Sequence, residues 1–243
     1  MSVLSALAEA IRSATVDVID LTAPLSSSTP ILKLPEPFGN TVPFTLHEIS
    51  RYDERGPAWY WNDITTGEHT GTHFDAPVHW VTGRDGQDVS QVPLTRLIAP
   101  AAVLDFSGQA AADADFLLEV DHIKEWESQH GALPEGGWLL YRTGWDVRSH
   151  DQDSFLNANE TGPHTPGVSV ECARWIAHHL RGHRRRHDHL MTPPESRLMA
   201  PQRSSVALVD RDERAAVTFS PGVAGDKTAG PALLIQPCPA YGR

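Results

Sequence analysis

The segment from His69 to His79 reads His-Thr-Gly-Thr-His-Phe-Asp-Ala-Pro-Val-His and places three histidines and one aspartate within eleven residues. Its threonines and phenylalanine favour extended backbone, and Gly71 weakens a helix. Pro77 cannot continue a strand ladder, and it keeps the residue before it out of the helical region. We therefore predict a strand that runs into a turn, not a helix that carries a pair of histidines.

One face of this predicted strand has the side chains of a catalytic metal site. Because side chains alternate along a strand, His69, His73 and Asp75 are expected on one face, and Gly71 is expected to leave open space between the imidazoles. Imidazole nitrogen and carboxylate oxygen suit Zn or Mn, with zinc bonds of ~2.0–2.2 Å. Three protein ligands leave one position for water, whose pKa such an ion lowers to about 7. A solvated polar strand is the alternative, and the absence of Lys and Glu from the segment disfavours it.

His79 follows Pro77, where we expect the strand to have bent. It is predicted to lie near the ion without binding it, and to act as general base and general acid in proton transfer. Trp80 comes directly after it and is predicted to line the substrate pocket.

The pattern His69-Thr-Gly-Thr-His73-Phe-Asp75-Ala-Pro-Val-His79 resembles the signature HxGTHxDxPxH of the cyclase family of metal-dependent hydrolases, which includes bacterial kynurenine formamidases and isatin hydrolases. The resemblance implies that His69, His73 and Asp75 bind Zn or Mn and that His79 is the catalytic acid and base. It also implies hydrolysis of an amide or formamide and a swivelling β/β/α architecture.

Composition limits the class of partner. Lys and Arg number 20 against 31 Asp and Glu, for a formal charge of −11, which disfavours nucleic acid or an anionic membrane as a partner and favours a small-molecule substrate. We expect no membrane span, and we expect a cytoplasmic protein because no secretory signal is evident. The two cysteines, Cys172 and Cys238, are expected to be free thiols.

Local patterns predict a mixed α/β chain. Apolar spacing and capping signals predict helices at 1–14, at 120–130 with Asp121 as its candidate N-cap, and at 170–179, capped by Ser169. They also predict strands at 16–22, 45–52, 101–106 and 138–142. We take 1–15 as an N-terminal helix and 16–180 as one cyclase-like hydrolase domain, which is expected to form a homo-oligomer.

Trp59, Tyr60 and Trp61 form an aromatic cluster before the metal motif. We predict that Trp61 contacts an aromatic substrate; the alternative is that the cluster covers the core or a contact between subunits.

Beyond residue 180 the family resemblance stops, so residues 181–243 are an atypical C-terminal segment. We interpret this segment as poorly ordered or as the product of a frame slip in the gene. Apolar runs nevertheless predict strands at 205–209, 215–219 and 232–235. The histidines of residues 178–189 could form a metal-storage module, a weaker interpretation because basic runs are usually solvated.

The predicted fold class is therefore α/β, a single domain with a mixed sheet. The predicted activity is arylformamidase-like hydrolysis of an N-formyl or cyclic amide on an aromatic substrate. One alternative is a single-metal, isatin hydrolase-like enzyme acting on a lactam or lactone, which the lack of Trp between residues 26 and 37 favours. Another is a metal-binding relic without catalytic activity.

Overall fold

The computed structural model describes residues 2–16 and 18–179, together with the backbone of three later strands. The helices are α1 (Val3–Arg12), α2 (Ser107–Ala112), α3 (Val120–His130), α4 (Gln152–Leu156) and α5 (Val170–His179). The strands are β1 (Thr45–Arg51), β2 (Tyr60–Thr65), β3 (His73–Asp75), β4 (Ile98–Asp105), β5 (Leu117–Leu118), β6 (Trp138–Arg142), β7 (Ala158–Asn159), β8 (Gly162–Pro163), β9 (Gly167–Val168), β10 (Val206–Val209), β11 (Ala215–Thr218) and β12 (Ala232–Ile235).

Strands β12, β4 and β6 form a mixed three-stranded sheet in that order. β4 and β6 are parallel, with Ala101 opposite Trp138 and Asp105 opposite Arg142, and the intervening chain crosses over through α2 and α3. β12 adds an antiparallel edge to β4. The predicted mixed sheet and the predicted strand at 138–142 are confirmed.

The core lies between this sheet and helices α3 and α5. Leu104 of β4, Tyr141 of β6, Ile123 of α3 and Ile176 of α5 belong to one buried cluster. Each helix contributes an apolar stripe at helical spacing, so the cluster forms only when both helices lie against the sheet.

Helices α3 and α5 begin where the sequence predicts, although one cap differs. The Ser169 hydroxyl accepts the Cys172 amide at 3.1 Å and so caps α5 as expected. The residue that caps α3 is Glu119, through a capping box with His122, and Asp121 lies inside the first turn. Asp121 is exposed there, so it does not perform the capping role that its position suggested.

The strand predicted at 16–22 is wrong: residues 18–22 adopt no regular secondary structure. Side chains bond the backbone of this segment in place of a strand ladder. Thr22 N–H donates to the Asp20 carboxylate at 2.9 Å, and Ala23 N–H donates to the Thr72 hydroxyl at 2.9 Å. The β-branched residues of this segment favour extended backbone, but none of the described strands pairs with it. The predicted strand therefore does not form.

The predicted strands at 205–209, 215–219 and 232–235 are confirmed as β10, β11 and β12. The rest of residues 180–243, including most of the histidine-rich run at 178–189, lies outside the described residues. None of the described helices is both long and apolar enough to cross a bilayer.

Candidate metal centre

Two of the predicted ligands lie on the face of strand β3 that is opposite to Phe74. His73 and Asp75 lie two residues apart on one face of the strand and are both buried. Phe74, on the opposite face, packs against the cluster that contains Leu97 and Trp138. The alternation of the sequence thus directs the polar pair towards the site and the phenyl ring into the core.

His69 reaches the same site by a turn, not by continuation of the strand. Residues 69–72 are not extended, because Gly71 has a φ of +65°, in the left-handed region that favours glycine. The turn brings His69 Nδ1 to 2.6 Å from Asp75 Oδ1. The strand predicted from His69 onward is therefore wrong before His73, although the side chains that it was meant to gather do meet.

Gly71 does not leave open space between the imidazoles as predicted. A Cβ at this position would lie 2.4 Å from Cδ2 of Leu25. Glycine is required here both for its backbone angle and for the close approach of Leu25.

His73 is oriented by its own turn. Its Nδ1–H donates to the Gly71 carbonyl at 2.8 Å, which leaves the Nε2 lone pair free. That Nε2 lies 3.2 Å from Asp75 Oδ1. The His73 Nε2 lone pair and the Asp75 carboxylate oxygen are both electron-pair donors, so they are suited to bind the same cation.

His79 ends a short 3-10 turn, Pro77–His79. Its ring centroid lies 3.9 Å from that of His69, and the Trp80 ring stands against it at 4.7 Å and 78°. Gly83 packs under the turn, since a Cβ there would lie 2.2 Å from the Pro77 carbonyl oxygen. Gly83, in the loop after Trp80, therefore packs against the Pro77–His79 turn and supports its position.

The buried groups influence one another's ionisation. Burial opposes the charged form of Asp75, but the hydrogen bond from His69 and the neighbouring His73 imidazole outweigh it and hold its pKa below the usual range. Burial also lowers the pKa of His69, but the hydrogen bond and charge of Asp75 reverse this and raise it overall. For His79, burial and the neighbouring His69 both lower the pKa, so its imidazole is neutral near pH 7.

The residues present fit a divalent cation. Candidate ligand atoms of His69, Asp75 and His79 lie within 4.8 Å of one another, and His73 contacts the same carboxylate. Two or three imidazoles with one carboxylate form a donor set suited to Zn or Mn. One possible ligand set is His69, Asp75 and His79, and the other is His69, Asp75 and His73. The ligand role of His73 and the proton-transfer role of His79 therefore stay predictions.

Sequence reasoning missed several neighbours of the site. Leu25 packs on Gly71, the Thr72 hydroxyl accepts from Ala23, and Glu68 lies 3.6 Å from His69 Nε2. The contacts of Leu25 and Ala23 join residues nearly fifty positions apart, so they leave no local pattern in the sequence.

Trp80 and Trp61 were predicted to contact the substrate. Of these two, Trp80 lies against the site residue His79. Trp61 lies in β2, eight residues before His69, and is 54% exposed. Its substrate contact stays a prediction.

Comparison with known proteins identifies the family. The cyclase family model matches residues 19–182, so the chain belongs to the cyclase family. Isatin hydrolase of Roseibium aggregatum is 48% identical over 178 residues, which cover 72% of this chain and 68% of that protein. Kynurenine formamidase of Bacillus cereus is 29% identical over 157 residues, which cover 63% of this chain and 68% of that protein.

Solved structures agree. Isatin hydrolase A from Ralstonia solanacearum matches with a TM-score of 0.70 and 48% identity, over 72% of this chain and 68% of that one. An isatin hydrolase crystallised with the product analogue thioisatinate matches with a TM-score of 0.71 and 46% identity, over 74% of this chain and 71% of that one. The predicted α/β fold class and the family resemblance are confirmed, and the chain is a hydrolase of the cyclase family.

Proposed function

We propose that this chain is a metal-dependent lactam hydrolase that opens an isatin-like ring. The observation that carries the proposal is its 48% identity to an isatin hydrolase, against 29% to a kynurenine formamidase. The absence of Trp between residues 26 and 37 supports the same choice. The arylformamidase activity expected first is thus less well supported than the lactam alternative.

His69, His73 and Asp75 would hold the ion, which we take to be Zn or Mn. When bound, such an ion supplies a Lewis acid for the carbonyl and lowers the pKa of a water molecule. The hydrogen bond from His73 to Gly71 fixes the ring so that Nε2 is aimed at Asp75. The buried Asp75 carboxylate joins both imidazoles and holds them in one orientation.

His79 would move the proton. As a neutral imidazole it takes a proton from the attacking water while the water oxygen bonds to the carbonyl carbon. It then returns that proton to the ring nitrogen as the carbon–nitrogen bond breaks. The new carboxyl group releases the second proton of the water to solvent, and the nitrogen stays tethered to this carboxylate as an aromatic amine. Trp80 beside His79 offers an aromatic face to the substrate.

Turnover of two substrates by purified, Mn- or Zn-loaded protein tests this proposal. Isatin should be hydrolysed faster than N-formylkynurenine. Faster hydrolysis of the formamide would favour the arylformamidase alternative, and bound metal without either activity would favour the catalytically inactive relic.

Replacing His79 by alanine separates catalysis from metal binding. H79A should keep its metal and lose about 100-fold to 10,000-fold in kcat, the usual contribution of general acid–base catalysis. H150A, which removes an exposed histidine outside the site, is the matched control and should retain full turnover. Loss of metal from H79A would make His79 a ligand, and full activity in H79A would reject its role in proton transfer.

The remaining expectations belong to the same proposal. The substrate is a small aromatic amide, and neither nucleic acid nor a membrane is a partner. The cytoplasmic location and the domain bounds at 16 and 180 also remain predictions.

A further inference from the structure

Residues 23–31, called the 23–31 segment below, form neither helix nor strand and lie against the turn of the metal motif. At the start of the segment, the Ala23 amide donates to the Thr72 hydroxyl at 2.9 Å. Two residues later, Leu25 occupies the space beside Gly71, where a Cβ would lie 2.4 Å from Cδ2 of the leucine. The segment therefore packs closely on the turn between the first two histidines of the motif.

Thr29 gives the 23–31 segment a fixed shape. Its N–H donates to the Ser26 carbonyl at 3.0 Å, and its hydroxyl accepts the Ser26 amide at 2.8 Å. Thr29 is buried, and its Cγ2 lies 4.0 Å from the position of a Cβ on Gly71. Because closely packed interiors transmit strain, a shift of Thr29 would be felt at the turn of the metal motif.

The far end of the segment is held by Gln152, which lies 121 positions after Ile31 in the chain. The amide oxygen of Gln152 accepts the Ile31 N–H at 3.0 Å, and its amide nitrogen donates to the Ile31 carbonyl at 2.8 Å. Ile31 is buried, so both of its backbone groups need partners inside the protein. One side chain thus supplies the pair of bonds that a residue on an antiparallel strand would otherwise supply.

Gln152 is itself held on a fixed support. It is the first residue of α4, which Asp151 caps by accepting the Ser154 amide at 2.7 Å. Phe155 of the same helix is buried against Trp145, and its carbonyl accepts the indole N–H of that tryptophan at 2.8 Å. The helix is therefore fixed to the core at its other end, so Gln152 offers the 23–31 segment a firm anchor.

The turn on which the segment packs sets the direction of two imidazoles. The Gly71 carbonyl accepts His73 Nδ1–H at 2.8 Å, and the turn brings His69 Nδ1 to 2.6 Å from Asp75. A displacement of Gly71 would move its carbonyl and would rotate the ring of His73 with it. Groups that orient metal ligands in this way tune the affinity of a site for its ion.

We propose that Gln152 is a positioning residue for the candidate metal centre, acting through the 23–31 segment on the turn that carries His69 and His73. The inference rests on the proposed function, because it takes these two histidines and Asp75 to be metal ligands. It gives α4, which contributes no residue to the metal motif, an influence on how tightly the site binds its ion.

Calorimetric titration with Mn²⁺ compares the wild type with Q152M, which keeps the length of the side chain and removes both bonds to Ile31. Q152M should bind the ion about 10-fold more weakly, the lower end of the usual loss when a residue that orients ligands is changed. R148M is the matched control, because it removes the 3.1 Å bond from Arg148 to the Ser154 carbonyl of the same helix and leaves Ile31 bonded. It should bind Mn²⁺ as the wild type does. Equal affinities in Q152M and the wild type would overturn the inference and leave the proposed function untouched.

Hydrogen exchange of the metal-free proteins gives a second readout, one that does not depend on the ion. Amides of residues 23–31 and 69–75 should exchange faster in Q152M than in the wild type, and R148M should leave them unchanged. A wild type that binds no metal would contradict the proposed function, and the exchange of residues 69–75 would then decide the role of Gln152 alone. Unchanged exchange there in Q152M would overturn the inference.

If Q152M does not fold, Q152E takes its place. Glutamate keeps an acceptor for the Ile31 N–H and removes only the donor to the Ile31 carbonyl. Q152E should therefore also weaken Mn²⁺ binding and speed exchange at 69–75. A folded Q152E with the affinity and exchange of the wild type would overturn the inference.

Discussion

Gly71 is the residue on which the geometry of the site depends most closely. Its positive φ turns the chain between His69 and His73, its carbonyl orients His73, and its missing side chain admits Leu25. One glycine thus joins the N-terminal segment to the candidate metal centre.

Alanine at this position should reduce both stability and metal affinity. G71A is expected to lower the free energy of unfolding by about 1–2 kcal/mol for the left-handed backbone, with a further loss for the clash with Leu25. G136A is the matched control, because Gly136 has the same φ of +65° and no atom near its Cβ position. Urea unfolding and calorimetric metal titration compare the two variants. Equal losses in stability and unchanged metal affinity in both would contradict this role of Gly71.

Cys172 is expected to be chemically silent. It is fully buried in the main core, and burial raises the pKa of its thiol to about 12. Because the thiolate is the reactive form, a thiol reagent at pH 8 should leave Cys172 unlabelled in the native protein and label it after denaturation. Peptide mapping checks this, and native labelling would show that the α5 contact with the sheet opens readily.

Among the elements, β4 and β6 are tied together at their carboxyl ends. Asp105 pairs with Arg142 across the parallel ladder and accepts hydrogen bonds from the amide and hydroxyl of Ser107, at 3.0 and 2.7 Å. Burial raises the pKa of Asp105, but the bonds from Ser107 and Arg142 outweigh it, so the pKa is lowered overall.

This lowered pKa predicts the sign of a pH effect. The ionised carboxylate stabilises the folded state above its ordinary pKa of 3.8, and that contribution is lost as pH falls through the lower folded value. D105N should therefore be less stable than the wild type at pH 7, by roughly 0.5–1 kcal/mol for a half-exposed pair. Thermal unfolding across pH 2.5–7 should show the difference shrinking towards the acid end. A difference that is constant with pH would exclude the carboxylate charge as its cause.

Helices and strands with a regular apolar spacing in their own residues were predictable from the sequence. Helix α3 and strand β6 occupy the residues that periodicity indicated, and Ser169 caps α5. The strand predicted at 16–22 failed because side chains, not a neighbouring strand, bond that backbone. The strand predicted from His69 is wrong at Gly71, because the alternation of apolar and polar residues does not reveal a positive φ.

For the whole molecule, strand partners could not be derived from the sequence. β3 pairs antiparallel with β11, which places Thr218 opposite His73 and Ala216 opposite Asp75. The apolar pattern predicted that β11 is a strand, but nothing local specifies a partner about 140 residues away. The strand that carries two predicted ligands is therefore held in its sheet by the C-terminal segment.

The most direct test of the candidate metal centre is the metal content per chain of the wild type and of D75N, by elemental analysis after dialysis. Asp75 contacts both His69 and His73, so loss of its charge should remove the ion. We expect about one ion per wild-type chain, the content of a mononuclear catalytic site, and less than about a tenth of that in D75N. Equal metal in both proteins, or no metal in the wild type, would contradict a metal centre built on Asp75.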